Sequence, residues 1–145
     1  MKKFMAMAVA ACCALLVFVG CGSSYKDGAY KAQYKDADEH GWTEFVEVTV
    51  KDGKVSDVTF DAKNADGKLK SQDAEYKSYM EATGTWPEKF YGDIAEQYKE
   101  KQSAEKMDAV AGATNSSDSF KVLMTELEKS MKEGNTDTIT VEASK

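Results

Sequence analysis

One stretch near the end of the chain places small and hydroxyl-bearing residues immediately before a predicted helix. Residues 108–120 read DAVAGATNSSDSF, and the small Gly112 and Ala113 leave the backbone before Thr114 open to a bulky group. A helix N-terminus offers free backbone N–H groups and the positive end of the helix dipole, which together bind phosphate. Further donors follow at Asn115, Ser116 and Ser117. Because Ser, Asn and Asp also cap ordinary helices, the stretch predicts either a phosphate site or a plain cap.

The residue types that ordinarily carry catalysis or bind metals are scarce in this chain. His40 is the single histidine, and its polar surroundings predict a solvated loop. Cys12 and Cys13 lie in an apolar N-terminal run, and Cys21 follows two residues after that run ends. Neither a zinc site with histidine or thiolate ligands nor a catalytic triad is expected from this inventory. We therefore predict no catalytic residue and no metal site.

The N-terminal segment has the pattern of an export signal. Lysines at positions 2–3 precede an apolar run over residues 5–19, which is short for a membrane span and typical of a signal peptide. Gly20 and Cys21 then resemble the lipobox of bacterial lipoproteins, in which the cysteine becomes the lipidated first residue, although Phe18 stands where Leu is usual. A lipoprotein signal is the favoured interpretation, and an uncleaved anchor or an ordinary secretory signal are the alternatives.

This interpretation divides the chain into three parts. We expect a signal peptide over residues 1–20, the lipidated Cys21 with a tether over 21–27, and one domain over 28–145. A chain of 145 residues suffices for one core of ordinary size. The net charge of −6 at pH 7 argues against nucleic acid as a partner. The domain is expected to be lipid-anchored on the outer face of the cell membrane.

The first half of the predicted domain has the period of β-strands. Residues 29–34 and 43–50 are two predicted strands, and three alternating valines mark one face of the second. Asp52 and Gly53 then form a strong hairpin signal, because both positions of such a turn require positive φ. The hairpin leads to a third strand that runs through Phe60.

The second half changes to a helical period. Leu69, Tyr76 and Met80 fit one face of a first helix, with Ser71 as its expected N-cap and Gly84 as its end. The elements expected after it are a helix from Pro87 through Tyr98, a short buried strand over 107–111, a helix over 117–131 and a final strand over 138–142. Strands followed by helices predict an α+β domain with helices packed on one face of an antiparallel sheet.

The stretch that precedes the last helix resembles the flavinylation motif of the FMN-binding domain family, Asp-x-x-Ser/Thr-Gly-Ala-Thr/Ser. The matching positions are Asp108, Gly112, Ala113 and Thr114, and Ala111 stands where Ser or Thr is more usual. The family includes the C subunit of the sodium-pumping NADH:quinone reductase, the G subunit of the Rnf complex and small bacterial lipoproteins. Upstream motifs that resemble the lipoprotein branch are Asp27-Gly28-x-Tyr30, Gly41-Trp42, Val50 to Lys54, Asn64 to Gly67, Leu69 to Ser71, Tyr76, Met80 and Pro87.

The resemblance implies that Thr114 carries FMN through an ester between its hydroxyl and the flavin phosphate. The other residues expected at the cofactor are Asp108, Gly112, Ala113, Ser116, Ser117, Lys70, Ser71, Tyr76 and Met80. Tyr76 and Met80 are also spaced as ordinary core residues of a helix. Either Trp42 or Trp86 could cover the flavin ring, although packing explains a tryptophan equally well.

The resemblance also implies a function in electron transfer outside the cytoplasm. The cofactor supplies the redox chemistry in such proteins, so the absence of a catalytic constellation is no obstacle. The partners implied are the membrane, a flavin transferase for maturation, a membrane redox partner and an extracytoplasmic electron acceptor. A flavin-free binding or surface lipoprotein that keeps the fold is the alternative.

Overall fold

The computed structural model describes residues 24–143, so the predicted signal peptide and Cys21 lie outside the described residues. The elements in chain order are β1 (Gly28–Tyr34), β2 (Thr43–Lys51), β3 (Lys54–Lys63), a 3₁₀ turn (Lys70–Gln72), α1 (Ala74–Met80), a second 3₁₀ turn (Glu81–Thr83), α2 (Pro87–Lys101), α3 (Thr114–Glu133) and β4 (Ile139–Val141). The α+β class predicted from the sequence is confirmed.

The hairpin of β2 and β3 forms as its turn residues predict. Asp52 and Gly53 have φ angles of +54° and +76°, the left-handed conformation that this turn requires. A β-bulge shifts the pairing beyond Thr49, so that one extra residue of β3 is accommodated. Val55 and Val58 are therefore both buried, although their odd spacing would place them on opposite faces of a regular strand.

The sheet is mixed rather than antiparallel, which corrects the prediction. Its strand order is β3-β2-β1-β4, and β4 pairs with β1 in parallel, with Ala32 opposite Ile139. The chain passes through α3 before it reaches β4, and such a crossover delivers a strand in the same direction as its partner. A strand of three residues has no sequence pattern that could show its direction.

The helices cover one face of the sheet, as predicted. Lys31, Glu47 and Thr49 lie on the opposite face and are half-buried or exposed. The core stripe of α3 is confirmed, since five apolar side chains at helical spacing are fully buried: Phe120, Leu123, Met124, Leu127 and Met131. From α2 the core receives Phe90, Tyr91, Ile94, Ala95 and Tyr98.

The first helix begins later than expected, and its cap is a different residue. Asp73 is the N-cap of α1, and its Oδ1 accepts the N–H of Tyr76 at 2.9 Å. Ser71 cannot act as the cap because its hydroxyl donates instead to Asp61 Oδ2 at 2.5 Å. Leu69 lies before the helix, in an isolated β-bridge with Lys63, and so does not share the helix face that was predicted.

The buried strand predicted over residues 107–111 does not form. Met107 is buried, but the segment has no strand partner and crosses the helices as a loop. Side chains satisfy its backbone in place of a β-ladder: Gln97 exchanges two hydrogen bonds with the backbone of Asp108, and Lys121 Nζ donates to the Met107 carbonyl at 3.0 Å. The helix after the loop starts at Thr114, three residues earlier than predicted.

The domain begins before β1, inside the stretch expected to be a tether. Tyr25 is only 5% exposed and belongs to the core, and its N–H donates to the Gly53 carbonyl at 3.1 Å. The Lys26 N–H donates to the Met131 carbonyl at 2.8 Å, near the C-terminal end of α3. The folded domain therefore includes Tyr25 and Lys26 and does not start at residue 28.

Candidate functional site

A cavity of about 560 Å³ opens between the N-terminal end of α3 and the segment that contains α1. Most of the cofactor residues predicted from the sequence line it, although they are far apart in the chain. They are Lys70, Tyr76 and Met80 on one side, and Gly112, Ala113, Thr114 and Ser116 on the other. The fold thus brings the motif before α3 together with the residues that follow β3.

The N-terminus of α3 faces this cavity without a side-chain cap. Its N-cap is Ala113, which has no polar side chain, and its first turn contains no acidic residue. Thr114 is the first helical residue, is exposed and lies on the cavity wall. Ser117 is buried and does not cap the helix, since its hydroxyl donates to the Ala113 carbonyl and accepts the Val110 N–H. The free N–H groups of the first turn therefore remain available to an anion, and plain capping does not explain the motif.

Gly112 is required by the backbone of the loop before Thr114. Its φ angle is +77°, a left-handed conformation that glycine adopts at little cost. A Cβ at this position would lie 2.8 Å from Cγ2 of the buried Thr85, which is closer than carbon atoms can approach. The Ala113 N–H then donates to the Val110 carbonyl at 2.9 Å and closes the turn. This turn fixes the position of Thr114 at the cavity.

Lys70 is the cation of the cavity wall. The residue is only 7% exposed, although it is a lysine, and Nζ lies 4.6 Å from the ring centroid of Tyr76 and 5.9 Å from that of Trp42. Cations are attracted to the faces of aromatic rings at such distances. Trp42 and Tyr76 themselves meet edge to face, with centroids 6.5 Å apart. This side of the cavity is therefore aromatic with one positive charge.

Glu44, on β2, belongs to the cavity wall but was not predicted. Its Oε1 accepts hydrogen bonds from Ser116 Oγ at 3.0 Å and from Tyr91 OH at 3.2 Å. Burial raises the pKa of the Glu44 carboxyl, and hydrogen bonds from hydroxyl groups and the charge of Lys70 oppose that rise. The sequence held a signal for this residue, because Glu44 is in phase with the buried valines Val46 and Val48.

The remaining predicted residues lie away from the cavity wall. Asp108 has a side chain that is 82% exposed and pairs with Lys101, and the hydrogen bond from Lys101 holds the pKa of Asp108 below its usual value. Ser71 is turned to Asp61, and Ser117 holds the loop to α3. These three residues support the elements around the cavity rather than forming its surface.

Further residues of the cavity wall come from the loop between β1 and β2. Asp38 and His40 lie there, and Asp38 Oδ1 accepts the N–H groups of His40 and Trp42 at 2.9 and 2.8 Å. The His40 side chain is 64% exposed, in keeping with the solvated loop predicted from the sequence. Nothing in the loop sequence distinguished these residues from ordinary turn residues.

The residues of this cavity fit FMN, the cofactor that the resemblance implies. The volume of the cavity, about 560 Å³, lies within the range of small-molecule sites. The uncapped start of α3 and the exposed Thr114 hydroxyl suit a phosphate, while Tyr76, Met80 and Phe90 offer apolar and aromatic surface for a ring. The buried Lys70 supplies a positive charge for an anionic ligand.

Residues 24–143 contain neither a candidate metal site nor a candidate membrane-spanning helix. Within that range, no group of three or more His, Cys, Asp or Glu side chains is arranged to hold a metal ion. None of the helices in the same range is long and apolar enough to cross a membrane.

The chain is similar to known proteins over most of its length. The chain is 41% identical over 131 residues to a protein of Treponema pallidum (strain Nichols) named 15 kDa lipoprotein, which covers 90% of this chain and 93% of that protein. A crystal structure of a Clostridium perfringens protein matches with a TM-score of 0.79 and 30% identity, over 83% of this chain and 99% of that one. A solution NMR structure from Clostridium thermocellum matches with a TM-score of 0.51 and 25% identity, over 72% and 90%.

The family comparison covers most of the domain and most of the cavity wall. The profile of the FMN-binding domain matches residues 41–127, a range that contains Glu44, Lys70 and Thr114. The family resemblance seen in the sequence is thereby confirmed. The chain belongs to the FMN-binding domain family, and FMN is the cofactor that this membership assigns to it.

Proposed function

We propose that this protein is a membrane-anchored flavoprotein that holds FMN in an ester bond to Thr114 and transfers electrons outside the cytoplasm. The observation that carries the proposal is the position of Thr114, an exposed hydroxyl at the uncapped N-terminus of a 20-residue helix on the wall of a cavity. A phosphate esterified to this hydroxyl would meet the free N–H groups and the positive end of the helix dipole.

The chain's own residues hold and shield the cofactor rather than perform acid–base chemistry. FMN supplies the electron-transfer chemistry when it is bound. Gly112 and Ala113 keep the approach to Thr114 free of bulky side chains, while Tyr76 and Met80 present an aromatic and a thioether surface at the opposite wall. Ser116 is tied to Glu44, which fixes the first turn of α3 relative to the sheet. A covalent bond removes the need for tight binding where free flavin would be lost by diffusion.

Anchoring at Cys21 completes the proposed function. The Gly20-Cys21 lipobox and the similarity to a 15 kDa lipoprotein over 90% of this chain both support a lipid anchor. A lipid anchor holds the domain in a thin layer at the membrane and so raises its effective concentration near membrane-bound redox partners. We propose a membrane dehydrogenase as the donor, an extracytoplasmic acceptor, and a flavin transferase for maturation.

The test is covalent flavin at Thr114. The protein should be produced together with a flavin transferase, and the peptide containing Thr114 should gain the mass of FMN less water. Thr114→Ala should remove all covalent flavin while the melting temperature changes little, because an exposed hydroxyl contributes little to stability. Thr114→Ser should keep some flavin. Thr125→Ala, an exposed threonine of the same helix outside the cavity wall, is the matched control and should keep all of it.

Two results would contradict the proposal in different ways. Covalent flavin that persists in Thr114→Ala would move the attachment to another residue. Electron flux from membranes to a soluble acceptor that is the same for the wild type and Thr114→Ala would reject the carrier function. The flavin-free surface lipoprotein would then be the better interpretation.

A further inference from the structure

Lys70 occupies a place in which a lysine is unusual. The residue is more than nine-tenths buried and lies in the 3₁₀ turn that precedes α1. Within residues 24–143, its ammonium has neither a hydrogen bond nor an ion pair, and Lys70 lines the cavity. Nζ is not among the fully buried atoms that lack a partner, so this charge is accessible from the cavity and is placed to attract an anionic group there.

The protein itself supplies only partial compensation for this charge. The carboxylate of Glu44 interacts electrostatically with Lys70. Its Oε1, however, already accepts hydrogen bonds from Ser116 and Tyr91. The faces of Tyr76 and Trp42 also attract the ammonium, with Nζ 4.6 and 5.9 Å from their ring centroids. The ammonium is thus held beside the two rings, and the part of its positive charge that the protein does not compensate acts on the cavity.

The contacts of Lys70 indicate which part of a bound FMN it would meet. The proposed phosphate end is the start of α3 at Thr114, which provides its own positive potential. Lys70 contacts Tyr76 instead, on the wall that also contains Met80, and this aromatic and thioether surface is the part of the cavity suited to the flavin ring. Lys70 Nζ therefore lies against the surface suited to the ring, while Glu44, on which its charge acts, connects this wall to Ser116 in the first turn of α3.

We propose that the ammonium of Lys70 contacts the flavin ring and stabilises its reduced, negatively charged form, and so raises the reduction potential of the bound cofactor. This inference rests on the proposed function. The oxidised ring is neutral, and two electrons and one proton convert it to a ring with one negative charge. A fixed cation with few other contacts favours that product over the neutral ring, because the attraction is strong away from bulk water.

The test measures the midpoint potential of the flavin in the loaded protein by spectroelectrochemistry, with the electrode as electron source and the buffer as proton source. Lys70→Met keeps an unbranched side chain, one atom shorter than that of lysine, and removes its charge. We expect it to weaken the preference for reduced over oxidised flavin at least tenfold, which lowers the potential of a two-electron couple by about 30 mV or more. Lys70→Arg should keep the wild-type potential.

A matched control and a flavin-free measurement exclude a merely structural explanation. Lys77 lies over the ring of Trp86 at 5.2 Å and outside the cavity wall, so Lys77→Met should leave the potential unchanged. Without flavin, Lys70→Met should be about as stable as the wild type, because an apolar side chain replaces a lysine that makes no hydrogen bond or ion pair within residues 24–143. A loss of stability together with an unchanged potential would show that Lys70 serves packing and would overturn the proposal.

The outcomes also separate this inference from the proposed function. A phosphate carries the same charge in both redox states, so a Lys70 that meets the phosphate would change flavin uptake but not the potential, and that result overturns the proposal. If flavin is bound but not esterified at Thr114, the covalent proposal fails while the potential still tests Lys70. A wild-type chain that takes up no flavin in either form overturns both.

Discussion

Gly112 shows how closely single residues of the motif are fitted to their neighbours. The Asp-x-x-x-Gly-Ala-Thr pattern is recognisable in the sequence, yet the reason for its glycine lies in Thr85, which is remote in the chain and was not singled out. Thr85 fills the space where a side chain at position 112 would lie. The motif thus pointed to Gly112, and the structure adds a packing reason for the glycine that the sequence does not contain.

We predict that Gly112→Ala destabilises the protein and displaces Thr114. The left-handed φ of +77° alone costs an alanine about 1–2 kcal/mol, and the contact with Thr85 adds to this. Gly92→Ala is the matched control, because Gly92 is an exposed residue of α2 with nothing within 4 Å of a Cβ, and it should stabilise by up to about 1 kcal/mol.

Denaturant unfolding of both glycine variants measures these effects. Thr85→Ser removes the methyl group that a Cβ at position 112 would contact, so the double variant with Gly112→Ala should recover part of the loss. Equal stability of Gly112→Ala and Gly92→Ala would show that the loop before Thr114 is not constrained in this way.

The other site residues differ in how visible they were. Thr114 and Lys70 were identified through the family resemblance, and both lie at the cavity. Asp108 and Ser117 belong to the same motif by sequence, but their side chains contact Lys101 and the loop backbone. A motif match reports that a residue matters, whereas its side-chain direction depends on neighbours from distant elements. Glu44 illustrates the converse, since only the strand period pointed to it.

Among the elements, α1 is attached to the domain most lightly. It contains no fully buried residue, although Tyr76 and Met80 form part of the cavity wall. Its start is held by Asp73, whose Oδ1 accepts the Tyr76 N–H and whose Oδ2 pairs with Lys68 at 3.1 Å. Elements with few buried contacts open at a lower free energy than the core, so α1 is the part of the wall best able to move.

We predict that Asp73→Ala loosens α1 without unfolding the domain. Loss of an N-cap costs about 1 kcal/mol, and here it falls on a helix that little else stabilises. Hydrogen exchange of residues 74–80 should quicken several-fold while exchange in α3 stays unchanged. Asp93→Ala removes an exposed carboxylate paired with Lys89 in α2 and should alter neither. Equal exchange of residues 74–80 in the wild type and Asp73→Ala would contradict this view of α1.

Elements that depend on local signals were predictable, and those set by tertiary contacts were not. The Asp52-Gly53 turn is specified by two residues that adopt positive φ, and the buried stripe of α3 by the helical spacing of its apolar residues. Both were predicted correctly. Residues 107–111 have a strand-like composition but no adjacent strand edge to pair with, so they form a loop. The parallel pairing of β4 depends on how α3 crosses the sheet, which three residues cannot encode.

At the scale of the whole molecule, the proposed lipid anchor determines where the domain works. We predict that Cys21→Ser, which removes the thiol that accepts lipid, releases the protein from the membrane fraction into the soluble fraction. Immunoblots of fractionated cells measure this, and the melting temperature of the released domain should match that of the wild-type domain, because the substitution changes none of the contacts within residues 24–143. A Cys21→Ser protein that stays in the membrane fraction would favour an uncleaved anchor.

If the lipid anchor and the flavin are placed as proposed, the contact between Lys26 and Met131 makes α3 a spacer between them. It brings the N-terminal end of the domain to the last turns of α3, whereas Thr114 is the first residue of that helix. A helix of 20 residues spans about 30 Å, while the four residue-to-residue steps from Cys21 to Tyr25 can reach over about 14 Å at most.

The proposed anchor and the proposed flavin therefore lie near opposite ends of α3. With α3 perpendicular to the membrane, the proposed cofactor lies about 30 Å above the end of α3 that is nearest the bilayer. This distance exceeds the reach of the tether, so an electron donor must project from the membrane to a similar height. A donor level with the lipid surface would require the domain to tip onto its side. Under the proposed function, the length of α3 thus limits which membrane proteins can exchange electrons with this one.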